Sequence, residues 1–475
     1  MNLPELRVAA AGGLHEGARR APVVEPWSGA TLAEVHIAGA AHAEAACAAA
    51  RDAFAPMKRT PSHLRRRALR SIAEGLAARR ETFAELIARE AGKPIKYARA
   101  EVQRAIVTFE WGAEEAGRIG GEVFAADATE PGEPFTGSWT RVPRGPLLAI
   151  SPFNFPLNLV AHKLAPAFAC GVPVVLKPAP QTPLTALALA ELVRASGLPT
   201  DALQVLPSDV DVAELLVKDD RFTNLSFTGS ATVGWHLKSI CGKKLVTLEL
   251  GGNAAAIVHA DAPAHAAASL TGSAFAYAGQ VCIKTQRIFV HESVAEAFTH
   301  DFVARTSALA PADVLDEATV LGPLIDEGAA KRVDEWVHEA LAAGAKRLTG
   351  GDRTGNRVPA TVLAIEGSGR GLKVVEEEVF GPVVTIQVYS ALDDALAAVN
   401  GTRYGLQASV FTDSQKVISQ TYRDLDVGGL VVNDTASVRF DHMPYGGVKD
   451  SGLGREGVRF AMEDLLEKKV LLVRR

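Results

Sequence analysis

Cysteine is scarce in this chain. Its four cysteines, Cys47, Cys170, Cys241 and Cys282, are scattered through 475 positions without metal-type spacing. That excludes a disulfide-stapled framework and a thiolate metal cluster. Long apolar runs are missing as well. No segment approaches the ~20 apolar residues needed to cross a bilayer, so no membrane association is expected. The first residues, with Glu5 and Arg7 among small side chains, lack the continuous apolar core of a secretory signal. Nor is there an excess of positive charge: the formal net charge is −5, which gives no reason to expect nucleic acid as a partner. The one arginine-rich patch, Arg65, Arg66, Arg67 and Arg70, is interleaved with apolar residues and reads as the solvated face of a helix. Internal repeats and low-complexity linkers are also absent. The expectation is a cytoplasmic globular protein with reduced thiols.

What is present is apolar material in quantity, 48% of residues against 22% charged, enough for a well-buried protein. A chain of 475 residues exceeds one hydrophobic core, so two or three structural units are expected. Residues 60–90 read as one helix, with Leu69, Ile72, Leu76, Phe83, Leu86 and Ile87 on a recurrent apolar stripe, ended by Gly92 and Pro94. A second helix is expected over about 95–117. From Pro146 the texture changes to short apolar runs at 147–150, 174–176, 203–206 and 225–227, separated by helical stretches such as 185–196. Strands alternating with helices imply an α/β fold with a parallel sheet, because a parallel connection needs a crossover of about a dozen residues. A second alternation begins after Gly251 and runs to about Asn433. Two segments fit neither unit: residues 134–143, an extended arm carrying Phe135, Trp139 and Val142, and the apolar tail 469–473. The tail either closes its own sheet or pairs with another chain, and assembly is the preferred reading.

Four short segments carry possible chemistry, and each has a bland alternative. Gly279-Gln280-Val281-Cys282 sets a cysteine just after a glycine; a lone cysteine is more often an inert small hydrophobe. Leu248-Glu249-Leu250-Gly251-Gly252-Asn253 buries a carboxylate among apolar residues, which raises its pKa toward that of a neutral-pH base, though a structural ion pair would look the same. Ser151-Pro152-Phe153-Asn154-Phe155-Pro156-Leu157 fixes one amide between prolines and aromatics; the amide is an oxyanion donor or a turn asparagine. Phe227-Thr228-Gly229-Ser230 follows a strand and opens a helix containing Gly234, where exposed N–H groups can hold a pyrophosphate, but it is not the Gly-x-Gly-x-x-Gly fingerprint.

Taken together, in order and spacing, Asn154, Glu249, Cys282, Glu377-Glu378-Val379-Phe380-Gly381-Pro382 and Pro444-Tyr445-Gly446-Gly447-Val448-Lys449 resemble the aldehyde dehydrogenase superfamily. The resemblance runs from Pro26-Trp27-Ser28-Gly29 to Ser451-Gly452-Leu453-Gly454-Arg455-Glu456, with the look of the lactaldehyde, phosphonoacetaldehyde and non-phosphorylating glyceraldehyde-3-phosphate branch. It implies a Rossmann-type cofactor domain (1–122 and 144–251), an α/β catalytic domain (252–455) and a small β oligomerisation arm (123–143 and 456–475), in a dimer or tetramer. By similarity, Cys282 attacks the aldehyde while the Asn154 amide and the Cys282 N–H hold the oxyanion. Hydride passes to the nicotinamide of NAD or NADP, and Glu249 activates the water that hydrolyses the thioester. Lys177 is similar to the lysine on the adenosine ribose, Ser230 to the serine at the pyrophosphate, and Glu378, with Phe380 beside it, to the carboxylate on the nicotinamide ribose. Pro180 departs from the glutamate common in NAD-preferring relatives, which leaves cofactor choice open.

The resemblance places Arg104, Phe155, His162, Val281, Ile283, Arg439 and Tyr445 around the substrate. Two arginines there suit a small aldehyde bearing an anionic or hydroxyl group, although Val281 stands where phosphate-handling relatives often have arginine. The bland alternative has Arg104 facing solvent and Arg439 in a structural ion pair, with a neutral aliphatic or aromatic aldehyde as substrate. A catalytically idle binding relative would be expected to have lost Cys282, Asn154 or Glu249, and none is lost. An acyl-coenzyme A-forming enzyme would typically lack Glu249, and a simple thiol esterase would need no nicotinamide.

Overall fold

The computed structural model describes residues 3–475, and two doubly wound sheets organise it. The first has eight strands. Its middle five are parallel and run spatially Leu203–Val205, Val174–Lys177, Leu147–Ile150, Asn224–Thr228, Leu245–Glu249. The chain therefore winds outward from Leu147–Ile150, then crosses back to Asn224–Thr228, which puts a topological switch point between those two strands. Antiparallel strands cap both sides: Val8–Ala10 with Gly13–His15 at one, Gly452–Leu453 at the other. Period-two alternation sends Leu147 and Ala149 into one core and Leu148 and Ile150 into another. Both faces are thus covered, as a parallel sheet requires.

The second sheet repeats the plan with seven strands, ordered Lys346–Thr349, Thr361–Ala364, Val383–Tyr389, Arg287–His291, Ala255–Val258, Gln407–Phe411, Gly429–Val432. All neighbours are parallel except the first pair. Ala256 and Ile288 face one core, Ile257 and Phe289 the other. Among the described residues no helix is long and apolar enough to cross a membrane, and no cluster of ligating side chains could hold a metal ion.

The two unassigned segments find each other. Phe135–Pro143 is the centre of a three-stranded antiparallel sheet, flanked by Gly121–Phe124 and by the tail strand Leu466–Arg474. The tail therefore closes a sheet within its own chain, contrary to the preferred reading, while its outer side remains a sheet edge that bears the exposed Val470, Leu471, Leu472 and Val473. The stretch expected as arm from 456 is divided: Val458–Leu465 is a helix whose Val458, Met462 and Leu465 join the first core, and only Leu466 onward belongs to the arm.

The helix expected over 60–90 is two, Ser62–Ala78 and Arg80–Ala91, broken at Arg79 (φ −110°, ψ 23°). Arg79 is held there by Glu191 at 3.0 Å, and the turn aims Phe83, Leu86 and Ile87 into the first core. Arg67 and Arg70 are exposed as expected, but Arg65 and Arg66 are half-buried; Arg66 and Arg70 both pair with Glu114.

Helix Ile95–Ala116 carries Glu101 and Arg104 toward the junction of the two sheets, and it packs on the wholly buried helix Asn158–Cys170. Gly112 permits that approach, because a Cβ there would stand 3.0 Å from Ala165 Cβ and 3.3 Å from its carbonyl oxygen. Gly112→Val is expected to destabilise the protein by about 1–3 kcal/mol through overpacking, read as a lowered urea midpoint with an unchanged m-value.

Candidate active site

The carboxyl edge of the first sheet faces the amino edge of the second, and every proposed chemical group lies in that seam. Lys177 and Glu249 are the last residues of their strands, Asn154 lies four residues beyond Ile150, and Ser230 two beyond Thr228. From the other side, Cys282 precedes strand Arg287–His291, and Glu378 and Phe380 precede Val383–Tyr389.

The loop after Ile150 is held from beneath. Glu101, fully buried, accepts the N–H groups of Leu157 (2.9 Å) and Asn158 (3.1 Å) at the start of helix Asn158–Cys170. Its other oxygen is bonded to the buried ammonium of Lys93, which burial lowers to about 8. Lys93 Nζ also lies 3.6 Å from the Phe155 ring centre and 4.7 Å from that of Tyr277. Asn154 donates from Nδ2 to the Gln280 carbonyl (2.9 Å), so one amide hydrogen ties this loop to the one that leads to Cys282 and the other remains for a ligand.

The loop that leads to Cys282 is strained. Tyr277 (φ 53°), Ala278 (φ 52°) and Gly279 (φ 68°) are consecutive left-handed residues, a conformation that L side chains adopt singly and at a cost. Gln280 anchors the approach to Cys282, donating to the Pro323 carbonyl (3.2 Å) and accepting from Ile325 N–H (2.8 Å). Cys282 is partly exposed, with Sγ 3.3 Å from Tyr445 Oη; among the described residues no group takes its backbone N–H. Enclosure pushes its thiol up to about 11, with the Tyr445 hydroxyl acting in the opposite direction.

Behind Tyr445 lies a buried ion cluster. Arg439 stacks 3.7 Å from the Tyr445 ring centre and donates to Glu456 (3.0 Å). Glu456 also receives Lys163 Nζ (3.2 Å), whose remaining hydrogens go to Ser226 Oγ (2.9 Å) and Thr228 Oγ1 (2.7 Å). Although burial works to raise it, Lys163 and Arg439 keep the Glu456 carboxyl below the usual range. Glu249 is different. Both its oxygens are buried without a hydrogen-bond partner among the described residues, and burial, then the Glu456 charge, hold it well above the carboxylate range.

Among the residues expected to meet a cofactor, Ser230 caps helix Ala231–Ile240, its Oγ accepting from Val233 N–H (3.4 Å). Gly229 and Gly234 leave no room for a Cβ, which would strike the Phe227 ring and Leu250. Lys177 is a buried ammonium whose sole acceptor among the described residues is the Pro178 carbonyl at 3.4 Å, and burial lowers it to about 8. Pro180 is exposed beyond it. Glu378 accepts Gly252 N–H (3.0 Å) and is pushed up by burial to about 7, while left-handed Phe380 (φ 47°) meets Phe153 edge-on at 5.8 Å. A helix N-terminus, an under-partnered cation and an under-partnered carboxyl fit a pyrophosphate and two ribose diols.

The substrate-side residues divide. Val281, Ile283 and Tyr445 cluster around Cys282. Arg104 and His162 meet at Asp441, a residue whose role sequence reasoning missed: Arg104 donates from Nη2 (2.7 Å) and Nε (3.2 Å), His162 Nε2 lies at 2.8 Å, and Asn158 Nδ2 donates at 3.1 Å. Against the effect of burial, His162 and Arg104 hold Asp441 well below the usual carboxylate range. The Arg104 side chain is 30% exposed and that of Arg439 only 6%, so Arg439 does form the ion pair considered as the bland alternative. Phe155 lies below Arg104 at 6.0 Å. Lys93, Glu101 and Lys163 were also missed. Lys163 had a signal: with His162 it interrupts an otherwise apolar helical run.

Residues 14–471 match the model of the aldehyde dehydrogenase family. The chain is 42% identical over 459 residues to the 3-sulfolactaldehyde dehydrogenase of Priestia aryabhattai, covering 96% of this chain and 95% of that one. Aldehyde dehydrogenase 21 of Physcomitrella patens, solved with the reaction product succinate, superposes with a TM-score of 0.96 at 40% identity, over 100% of this chain and 99% of that one. A glyceraldehyde-3-phosphate dehydrogenase from Methanocaldococcus jannaschii, complexed with NADP, gives 0.92 at 35%, over 96% and 100%.

Glu378 supplies a pH test. A carboxyl raised from 4.5 to about 7 binds more protons folded than unfolded within that window, so it erodes stability as pH rises through it. Glu378→Gln keeps an acceptor for Gly252 and removes the penalty. The variant is expected to be more stable than the parent by about 1–3 kcal/mol at pH 8 and indistinguishable at pH 4, by urea denaturation at both.

Proposed function

The chain belongs to the aldehyde dehydrogenase family, and on that premise we propose that it oxidises a small aldehyde bearing an anionic or hydroxyl group to the carboxylic acid. NAD or NADP is the hydride acceptor. Lys177 and Glu378 would hold its two riboses, and Ser230 with the helix behind it the pyrophosphate, while Gly229 and Gly234 let that turn and helix pack on Phe227 and Leu250. Pro180 presents neither a carboxylate to favour the adenosine diol nor a cation to attract a 2′-phosphate, so both cofactors are admitted.

The chain's own groups account for the rest. The Cys282 sulfur, once deprotonated, bonds to the aldehyde carbon, and the carbonyl oxygen becomes an oxyanion facing the free Asn154 amide hydrogen and the Cys282 N–H. Re-forming the carbonyl expels hydride and leaves a thioester on Cys282. Glu249, desolvated and unpaired, takes a proton from water as the hydroxyl bonds to the thioester carbon, and the sulfur departs with the carboxylic acid released.

Arg104 carries the substrate reading. Nε and Nη2 hold Asp441, and Nη1 has no partner among the described residues, so a partly exposed guanidinium fixed in place keeps a donor for an anionic tail. The sulfolactaldehyde named for one relative and the succinate bound to another are small and anionic. We place the reaction in the cytoplasm, in keeping with four free cysteines.

Self-association is proposed through the open edge of strand Leu466–Arg474, whose apolar side chains an adjoining copy would cover. Val470→Lys with Leu472→Lys is expected to shift the species measured by light scattering from dimer or tetramer toward monomer; an unchanged mass rejects this edge as the contact.

The activity is read as reduced-nicotinamide formation with NAD and NADP across matched anionic and neutral aldehydes, with Cys282→Ala inactive. Glu249→Gln is expected to give a burst of about one reduced nicotinamide per active site and then stall, because its thioester lacks a base. Arg104→Ala is expected to raise KM for anionic aldehydes ~10-fold or more and to spare neutral ones. Unchanged kinetics in Arg104→Ala and Arg439→Ala would leave a neutral aldehyde as the substrate, and silence with every aldehyde would make the protein an idle relative.

A further inference from the structure

Lys93 lies where two separate loops converge, and the reacting groups identified above do not include it. One loop brings Phe155, the residue after Asn154, to 3.6 Å from Lys93 Nζ; the other brings Tyr277, five residues before Cys282, to 4.7 Å. Both distances are to ring centres. The Tyr277 hydroxyl also donates to the Ala91 carbonyl at 2.8 Å, two residues from Lys93. Glu101 completes the arrangement: one oxygen binds the ammonium, and the other receives Leu157 and Asn158 N–H at the far end of the Asn154 loop. The side chains of Lys93 and Glu101 are 1% and 0% exposed, so solvent does not screen the charge. Across the top, Asn154 Nδ2 reaches the Gln280 carbonyl at 2.9 Å. The two loops are thus joined above by one hydrogen bond and below by one cation.

We infer that Lys93, oriented by Glu101, is a positioning residue that sets the spacing of the two oxyanion donors, the Asn154 amide and the Cys282 N–H. The inference rests on the reading of those two groups as oxyanion donors. An ammonium between two ring faces attracts both toward one point. The left-handed residues Tyr277 and Ala278 need such an external hold, since local preference opposes their conformation. The competing account is that Lys93 merely neutralises Glu101, in which case a neutral pair of the same shape would serve equally well.

Lys93→Met together with Glu101→Gln separates the two accounts. Gln retains an acceptor for Leu157 and Asn158, and the neutral pair leaves no stranded carboxylate, whereas Lys93→Met alone strands Glu101 and is expected to fold poorly. Three readouts are taken on the full-length protein: steady-state oxidation of an aldehyde the parent turns over, KM for the nicotinamide, and alkylation of Cys282 by iodoacetamide. Alkylation displaces iodide and forms no oxyanion, so it reports the thiol without the donors. The double variant is expected to lose kcat about 10²-fold, while KM for the nicotinamide and the alkylation rate stay within about twofold, well short of that loss. Asn154→Ala, run alongside, is expected to lose kcat on a similar scale. A double variant with kcat within about threefold of the parent, or one whose alkylation rate falls in parallel with kcat, overturns the clamp. Full activity in Asn154→Ala overturns the oxyanion reading itself, and the clamp with it.

Discussion

The buried carboxylate of Glu456 is the interaction on which the seam between the two sheets depends. It lies at the end of the last loop before the terminal helix, yet its partners come from elsewhere: Lys163 from the helix beneath the first sheet and Arg439 from the loop that carries Tyr445. Its backbone pairs with Tyr445 in both directions, at 2.7 and 3.0 Å. Removing one member of a buried, hydrogen-bonded ion cluster costs roughly 3–5 kcal/mol, because the others are left charged and dry. The consequence reaches the chemistry. The same negative charge helps keep Glu249 protonated, and the arginine it fixes lies against the ring whose hydroxyl touches the Cys282 sulfur.

A second constraint is conformational. The two sheets meet edge to edge, and residues of the loops at the seam adopt left-handed backbone conformations. Tyr277, Ala278 and Phe380 are all left-handed without being glycine. Each such residue costs about 1–2 kcal/mol. The opposing contributions are specific: the Tyr277 hydroxyl on Ala91, the Lys93 charge beneath its ring, and Phe153 against Phe380. A desolvated cation–π contact contributes about 2 kcal/mol, the same size as the strain it opposes. The strain is concentrated at the residues that aim the sulfur and the cofactor-side carboxyl, while the strands behind them are regular.

The sequence was most legible where one residue type implies one behaviour. The parallel strands were marked by short apolar runs, and the segments around Cys282, Glu249 and Asn154, whose chemical roles are a proposal, by motifs set among glycine and proline. It was least legible for residues whose role depends on a partner far along the chain. Gly92 and Pro94 read correctly as helix terminators, but Lys93 between them gave no sign that Glu101, Phe155 and Tyr277 would surround it. Asp441 has neighbours that look like a loop, and only folding brings Arg104, Asn158 and His162 to it. The helix break at Arg79 was hidden because the apolar stripe continues across it, and the partner Arg79 finds there, Glu191, is more than a hundred positions away. The tail was misjudged for a related reason. An apolar strand advertises that it will pair, and its composition does not say with what.

Charge balance in the seam connects the proposed substrate with the chemistry. Lys163 donates to three acceptors, the full set an ammonium can use, so its charged form is the one this site fits. Arg104, Lys163 and Arg439 are then three cations facing two ionised carboxylates, Asp441 and Glu456, while His162 is pushed toward its neutral form by burial. With Glu249 protonated these groups leave a positive excess, to which Arg455, whose charge also acts on Glu249, adds, in keeping with the proposed anionic aldehyde. Ionisation of Glu249, which the proposed attack on water requires, lowers that excess by one charge. In the proposed mechanism Glu249 regains a proton from water as the hydroxyl bonds to the thioester carbon, so it is neutral again when the acid forms. The protonation state of that one carboxyl, held toward its neutral form by burial and by the Glu456 charge, thus sets both the charge an entering aldehyde meets and the moment at which a base is available.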